Sequence, residues 1–216
     1  CHGIQGANKA KIMAQGNVFA DFIEQTNVEA GGSIQANVIM NANISSDGQV
    51  ILTGRKGAII GGYTHAKDGI KATEVGNTAE VRTVLHAGCT KDFYRQTQVY
   101  KKKNTELSRQ VKDMSEELVN LRKKSKDSEL LLKKLKMLEA QYRPMKAELE
   151  EVRAKFQEME KIIAQTRESE IVISGNVYRG TLISFGVMQI PIERSTCFMK
   201  YYPLGGMIES SVIVYS

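Results

Sequence analysis

Val18-Phe19-Ala20-Asp21-Phe22-Ile23-Glu24-Gln25-Thr26-Asn27-Val28-Glu29-Ala30-Gly31-Gly32-Ser33 runs directly into Ile34-Gln35-Ala36-Asn37-Val38-Ile39-Met40-Asn41-Ala42-Asn43-Ile44-Ser45-Ser46-Asp47-Gly48-Gln49, and the two sixteen-residue stretches align without a gap. Sliding the chain by 16 residues places Ile12, Val28, Ile44 and Ile60 in one column. Val18, Ile34 and Val50, continued by Ala66, make a second, and Ile23 with Ile39 a third. Steps of 6, 5 and 5 residues separate the columns, so each repeat holds three short strands. A small or apolar residue (Ala14, Ala20, Ala30, Ala36, Ser46, Leu52) often follows two places later, on the same strand face. Gly16, Gly32 and Gly48 recur in one phase, where corners favour a residue without Cβ. Gln25 over Asn41 and Asn27 over Asn43 are placed to stack as amide ladders. An antiparallel sandwich needs hairpin signals between its strands, and Asp47-Gly48 and Asp68-Gly69 are the main ones here. The fixed period points instead to a parallel β-solenoid, whose handedness the spacing does not define.

Outward from this block the pattern breaks at Gly54-Arg55-Lys56-Gly57, where a charge stands at the third-column position. A loop or widened corner there would turn Arg55 and Lys56 outward. Ile59-Ile60-Gly61-Gly62, Ile70, Val75 and Val81 resume the pattern more loosely, to about Leu85. From about Asp92 the period changes to heptads. Leu107, Val111, Met114, Leu118 and Leu121 form one a/d seam, and Met145, Leu149, Val152, Phe156, Met159 and Ile163 another. The polar run Lys123 to Ser128 separates them and predicts a reversal near 125–128, in preference to one at Pro144. The expected insertion is an antiparallel coiled-coil hairpin over residues 91–168, its arms roughly 50 Å long at about 1.5 Å per residue. Glu170-Ile171-Val172-Ile173, Val177 to Ile183 and Ser211 to Tyr215 return to β-type sequence. The division expected is thus a β-solenoid over 1–90, the hairpin, and strands over 169–216 that extend or cap the solenoid. Pro191 and Pro203 suit edges or turns.

Of 216 residues 42% are apolar and 25% charged, the balance of a folded chain, and no run of about 18 apolar residues offers a membrane span. The start at Cys1-His2-Gly3, inside repeat sequence, reads as a piece of something longer, and a cytoplasmic location is expected. Net charge is +6; residues 96–168 hold 18 Lys+Arg against 13 Asp+Glu, so nearly all of it lies in the hairpin. That charge is spread thinly and lacks a stacking aromatic platform, which makes nucleic acid a secondary expectation beside a protein partner. Cys1, Cys89 and Cys197 are too few and scattered for a disulfide framework.

Gly54 to Gly62 within a β-solenoid, with Gly3-Ile4-Gln5-Gly6, Ala14-Gln15-Gly16-Asn17-Val18, Ile70-Lys71-Ala72, Val75-Gly76 and Val177-Tyr178-Arg179-Gly180, resembles the flagellar assembly protein A family of bacteria. The likeness spans nearly the whole chain; Arg179 stands where the family often has proline. The resemblance implies a right-handed parallel β-helix of about 16 residues per turn, a cytoplasmic scaffold or adaptor tied to flagellar assembly or polar localisation, and protein partners. A related solenoid in polymer-forming bactofilins adds self-association to what it implies. Gly54, Arg55, Lys56, Gly57, Gly61 and Gly62 are its signature, read as structural, and it brings no catalytic residue, metal or cofactor. The enzyme rival, a hexapeptide-repeat acyltransferase, uses six-residue steps and about 18 residues per turn, which these steps do not match. His65 lacks an orienting carboxylate nearby in sequence, and His86 with Cys89 is only half a zinc site, the remaining candidates Cys1, His2, His65 and Cys197 being distant.

Overall fold

The computed structural model describes residues 2–7, 9–54, 56–124, 128–166 and 168–214. Ten strands precede two helices: β1 (Ile4–Gln5), β2 (Lys11–Ala14), β3 (Val18–Glu24), β4 (Asn27–Ala30), β5 (Ile34–Ser46), β6 (Gln49–Leu52), β7 (Ala58–Ala66), β8 (Gly69–Ala72), β9 (Glu74–Val75) and β10 (Thr83–Ala87). After α1 (Lys91–Lys124) and α2 (Glu129–Thr166) come β11 (Glu170–Val177), β12 (Thr181–Phe185), β13 (Met188–Pro191), β14 (Thr196–Leu204) and β15 (Met207–Val212). The chain divides into two compact units, Cys1–Lys91 with Ile163–Ser216, and Asp92–Ile162.

The first unit is a β-solenoid. Its successive coils pair in parallel, so backbone donors and acceptors are satisfied by the coil above and the coil below. Ile12 lies on Val28 and Val28 on Ile44; Val18 on Ile34 and Ile34 on Val50; Ile4 on Ile23 and Ile23 on Ile39. These inward β-branched side chains fill the interior, with Ile23, Val28, Ile34, Ile39 and Val50 wholly buried. Polar residues ladder at the corners at the same interval. The Asn43 amide donates to Asn27 Oδ1 at 2.9 Å, and the Ser33 amide N–H donates to Asn17 Oδ1 at 2.8 Å.

The next coil departs from the sixteen-residue period. Ile39 pairs with Ile59, Ile44 with Thr64 and Val50 with Ile70, a step of twenty residues. Ala36 still faces Leu52 while Val38 faces Ala58, so the five residues Thr53 to Gly57 stand opposite Asn37 alone. The loop is therefore extruded rather than accommodated in the column, and Lys56 is exposed. Arg55 lies outside the described residues. This corrects two column assignments. Ile60 pairs with Met40 instead of following Ile44, and Ala66 pairs with Ser46 instead of following Val50.

Beyond the helices the chain rejoins the same sheets. β11 pairs in parallel with β8 and β9, placing Ile171 on Ile70 and Val177 on Val75, and β12 pairs in parallel with β10, placing Ile183 on Leu85. The last strands run the other way: β13 on β12, β14 on β11 and β15 on β14, all antiparallel. Tyr201 of β14 lies opposite Ile171, and burial pushes its phenol up to about 12.

In the second unit the helices are held by apolar seams. Leu107, Leu118, Leu121, Leu149, Val152 and Met159 are buried, and Leu107, Leu149 and Val152 cluster with Tyr100, Val111 and Met145 against them. Among the described residues three ion pairs cross between the helices, Lys103–Glu148 (2.7 Å), Glu117–Lys134 (2.8 Å) and Arg122–Glu139 (2.7 Å). They are exposed and fix register more than stability. α2 runs unbroken through Pro144, and the Leu132 amide donates to the Ser128 carbonyl as the helix begins. Residues 125–127 of the expected reversal lie outside the described residues.

Candidate functional site

Gly54, Gly57, Gly61 and Gly62 all stand at positive φ. Gln25 and Asn41 occupy successive coils at one corner, both at φ 47°, and Gly61 takes the same place at φ 71°. Asparagine tolerates this left-handed conformation better than most residues, and glycine pays no steric penalty for it. Gly62, at φ 80°, has an additional constraint, since a Cβ there would collide with the backbone of Ala42 in the coil before. Gly54 and Gly57 bracket the extruded loop at φ 85° and 42°.

A column of polar side chains runs beside the apolar interior. Register stacks Glu29, Ser45, His65, His86 and Ser184 on successive parallel coils. The two imidazoles meet edge to face with centroids 5.3 Å apart, and both are buried. Their outer nitrogens contact backbone carbonyls: His65 Nε2 with Gly88 O at 2.9 Å and His86 Nε2 with Cys89 O at 3.0 Å. A carbonyl only accepts, so each Nε2 carries a proton and each neutral ring has an accepting Nδ1. His65 Nδ1 lies 3.3 Å from Ser45 Oγ, and His86 Nδ1 3.0 Å from Ser184 Oγ. The Ser184 hydroxyl also lies 3.0 Å from the Leu85 carbonyl and has one proton for the two acceptors. Cys89 Sγ in turn contacts Thr166 Oγ1 at 3.2 Å. The carbonyls of Gly88 and Cys89, just ahead of α1, are thus tied to the solenoid, and Cys89 to the end of α2.

Burial pushes both imidazoles below the usual histidine range, outweighing the carbonyl bonds that favour the charged rings. Asp47 favours the charged form of His65, whereas His65 and Lys91 disfavour that of His86. The Cys89 thiol is pushed up, again mainly by burial. Ser184 with His86 has the composition of a nucleophile and base, but Ser184 is wholly buried and spends its hydroxyl on internal partners. The geometry makes this column a clamp on the backbone. His86 and Cys89, considered in sequence as half a metal site, meet through the Cys89 carbonyl instead, and no group of three or more His, Cys, Asp and Glu able to hold a metal occurs among the described residues. The partnership of His65 with His86 was invisible in sequence, because 21 residues separate them and the coil length there is irregular.

Of the seam residues, Val111, Met114, Met145, Phe156 and Ile163 are half-buried, beside the buried ones. The second seam expected from the sequence begins at Met145. Leu131, Leu135, Leu138 and Tyr142 continue it, all half-buried in the same helix. Their spacing of fours and threes continues back across Pro144.

Parallel coils of three short strands, interrupted by two helices and resumed in register, define a β-solenoid protein with a helical insertion. A family model, the flagellar assembly protein A beta solenoid domain, matches residues 1–208, and the chain belongs to that family. It is a flagellar assembly family rather than an enzyme family, which gives the chain a flagellum-related role. Comparison with curated proteins and with solved structures gave no match. No helix among the described residues is long and apolar enough to cross a membrane.

Proposed function

We propose that this chain is a non-enzymatic scaffold or adaptor of bacterial flagellar assembly or polar localisation, in which the solenoid is a rigid frame and the helices are the arm that contacts a protein partner. The observation that carries this reading is the helical insertion itself. The solenoid closes in register on either side of it, Ile70 on Ile171 and Leu85 on Ile183, so the coil geometry does not require the helices. Two charged helices of 34 and 38 residues, retained at a point where the frame is complete without them, are best explained by what they present. Right-handed winding, antiparallel coiled-coil pairing of the helices, division into residues 1–90, 91–168 and 169–216, and a cytoplasmic location belong to the same reading; the pairing is supported by Lys103 of the first half of α1 meeting Glu148 of the second half of α2, while Glu117 and Arg122 near the end of α1 meet Lys134 and Glu139 of the first half of α2.

Affinity capture with the whole chain as bait, from nuclease-treated lysates of flagellated and aflagellate bacteria, tests it. A discrete protein enriched from the flagellated lysate is expected. Retention of nucleic acid instead, abolished by nuclease and falling log-linearly with salt, would favour a basic nucleic-acid-binding module and overturn the adaptor reading.

A further inference from the structure

Resting on the adaptor reading, we infer that the groove between α1 and α2 around Val119 and Tyr142 docks an acidic amphipathic helix of the protein partner. This open groove holds about 630 Å³ within the helical unit. Its α2 wall runs from Glu139 to Glu150, about 17 Å at about 1.5 Å per residue, enough for roughly three turns of a third helix. Small residues, Ser115 and Ala147, let a helix backbone come close. Val119 stands 48% exposed on one side, and half-buried Tyr142 lies on the other. Together they offer apolar contact to residues at i, i+3, i+4 and i+7 of an incoming helix.

Charge selects the occupant. Both groove carboxylates already face cations, Glu139 with Arg122 at 2.7 Å and Glu150 with Arg153 at 3.7 Å. Arg143 and Lys146 are exposed in the groove and have no ion pair among the described residues. A helix with Asp or Glu flanking its apolar stripe would complement them. A second copy of this hairpin would bring the same two cations and meet like charge.

The test is fluorescence anisotropy of the whole chain with a labelled amphipathic peptide of about 14 residues, leucine on one face and glutamate on the others, long enough for the groove. The comparison peptides are one with lysine for glutamate and one of scrambled order. The acidic amphipathic peptide is expected to bind in preference to both. Arg143→Glu with Lys146→Glu should weaken it about tenfold, about 1.4 kcal/mol, whereas the same charge change at Lys101→Glu with Lys102→Glu, outside the groove, should weaken it less than about twofold. Circular dichroism checks that both variants keep their helices. Equal binding of the scrambled or lysine peptide, equal loss in both double variants, or no binding by the folded chain overturns the groove assignment. So does a concentration-dependent dimer in light scattering that Val119→Asp dissolves, which would put a second copy there. If the groove assignment fails while the wild-type chain still captures a flagellar protein, the adaptor reading stands; if the chain captures no protein, that reading fails too.

Discussion

Thr64 occupies the column place held by Ile44 in the coil before and Leu85 in the coil after, and its wholly buried hydroxyl has no hydrogen-bond partner among the described residues. An unmet buried hydroxyl costs about 1–3 kcal/mol, so Thr64→Val, which keeps the shape, should be neutral or raise stability by about 1 kcal/mol in urea denaturation; clear destabilisation would mean that the hydroxyl has a partner. Gly62 is the opposite case. Gly62→Ala adds a methyl at positive φ against the Ala42 backbone and should lower stability by more than about 2 kcal/mol. The paired histidines give the fold an acid limit. Their folded pKa values lie below the unfolded value of about 6.5, so the unfolded chain binds more protons and stability is lost as pH falls below about 6.5. Each ring contributes at most about 1.4 kcal/mol per pH unit in that window. Melting temperature followed from pH 8 to pH 5 should fall less steeply for His65→Gln with His86→Gln than for the wild type; equal slopes would place the acid sensitivity elsewhere.

At the scale of elements, the three interior columns were legible because stacking repeats the same β-branched demand every coil. Their phase after Gly54 was not. Periodicity carried Ile60 and Ala66 forward by sixteen, while the extruded loop had already reset the register by four residues. Charge at Arg55 and Lys56 marked the break, but only the pairing of Val38 with Ala58 measures its length. The helices show a similar division. Their seams were readable, yet Pro144 halted the count on the second although α2 continues through it. Proline in a helix interior removes a hydrogen bond and costs about 3 kcal/mol or more, so Pro144→Ala should stiffen α2 by up to about that amount. Slower amide exchange on either side of residue 144 is the expected result, and unchanged exchange would mean that the helix already relaxes around it. Leu149→Ala, deep in the seam, should lower helical stability by about 2–4 kcal/mol in thermal circular dichroism, and a loss below about 1 kcal/mol would show that the two helices hardly depend on each other.

For the whole molecule, the candidate site was the least legible part. Sequence located the charge in the helices and the glycines in the frame, but Arg143 and Lys146 acquire meaning only beside Val119 of the other helix, and His65 only beside His86. In the function proposed above, the solenoid is the frame and the helices are its working arm. Complementation of a strain lacking this protein, with residues 92–162 replaced by a short Gly-Ser link, tests that most directly, with immunoblotting of the product and a count of flagella by microscopy. The shortened protein is predicted to accumulate as the wild type does and to leave flagellation unrestored; restoration of wild-type flagella without the helices would contradict the account.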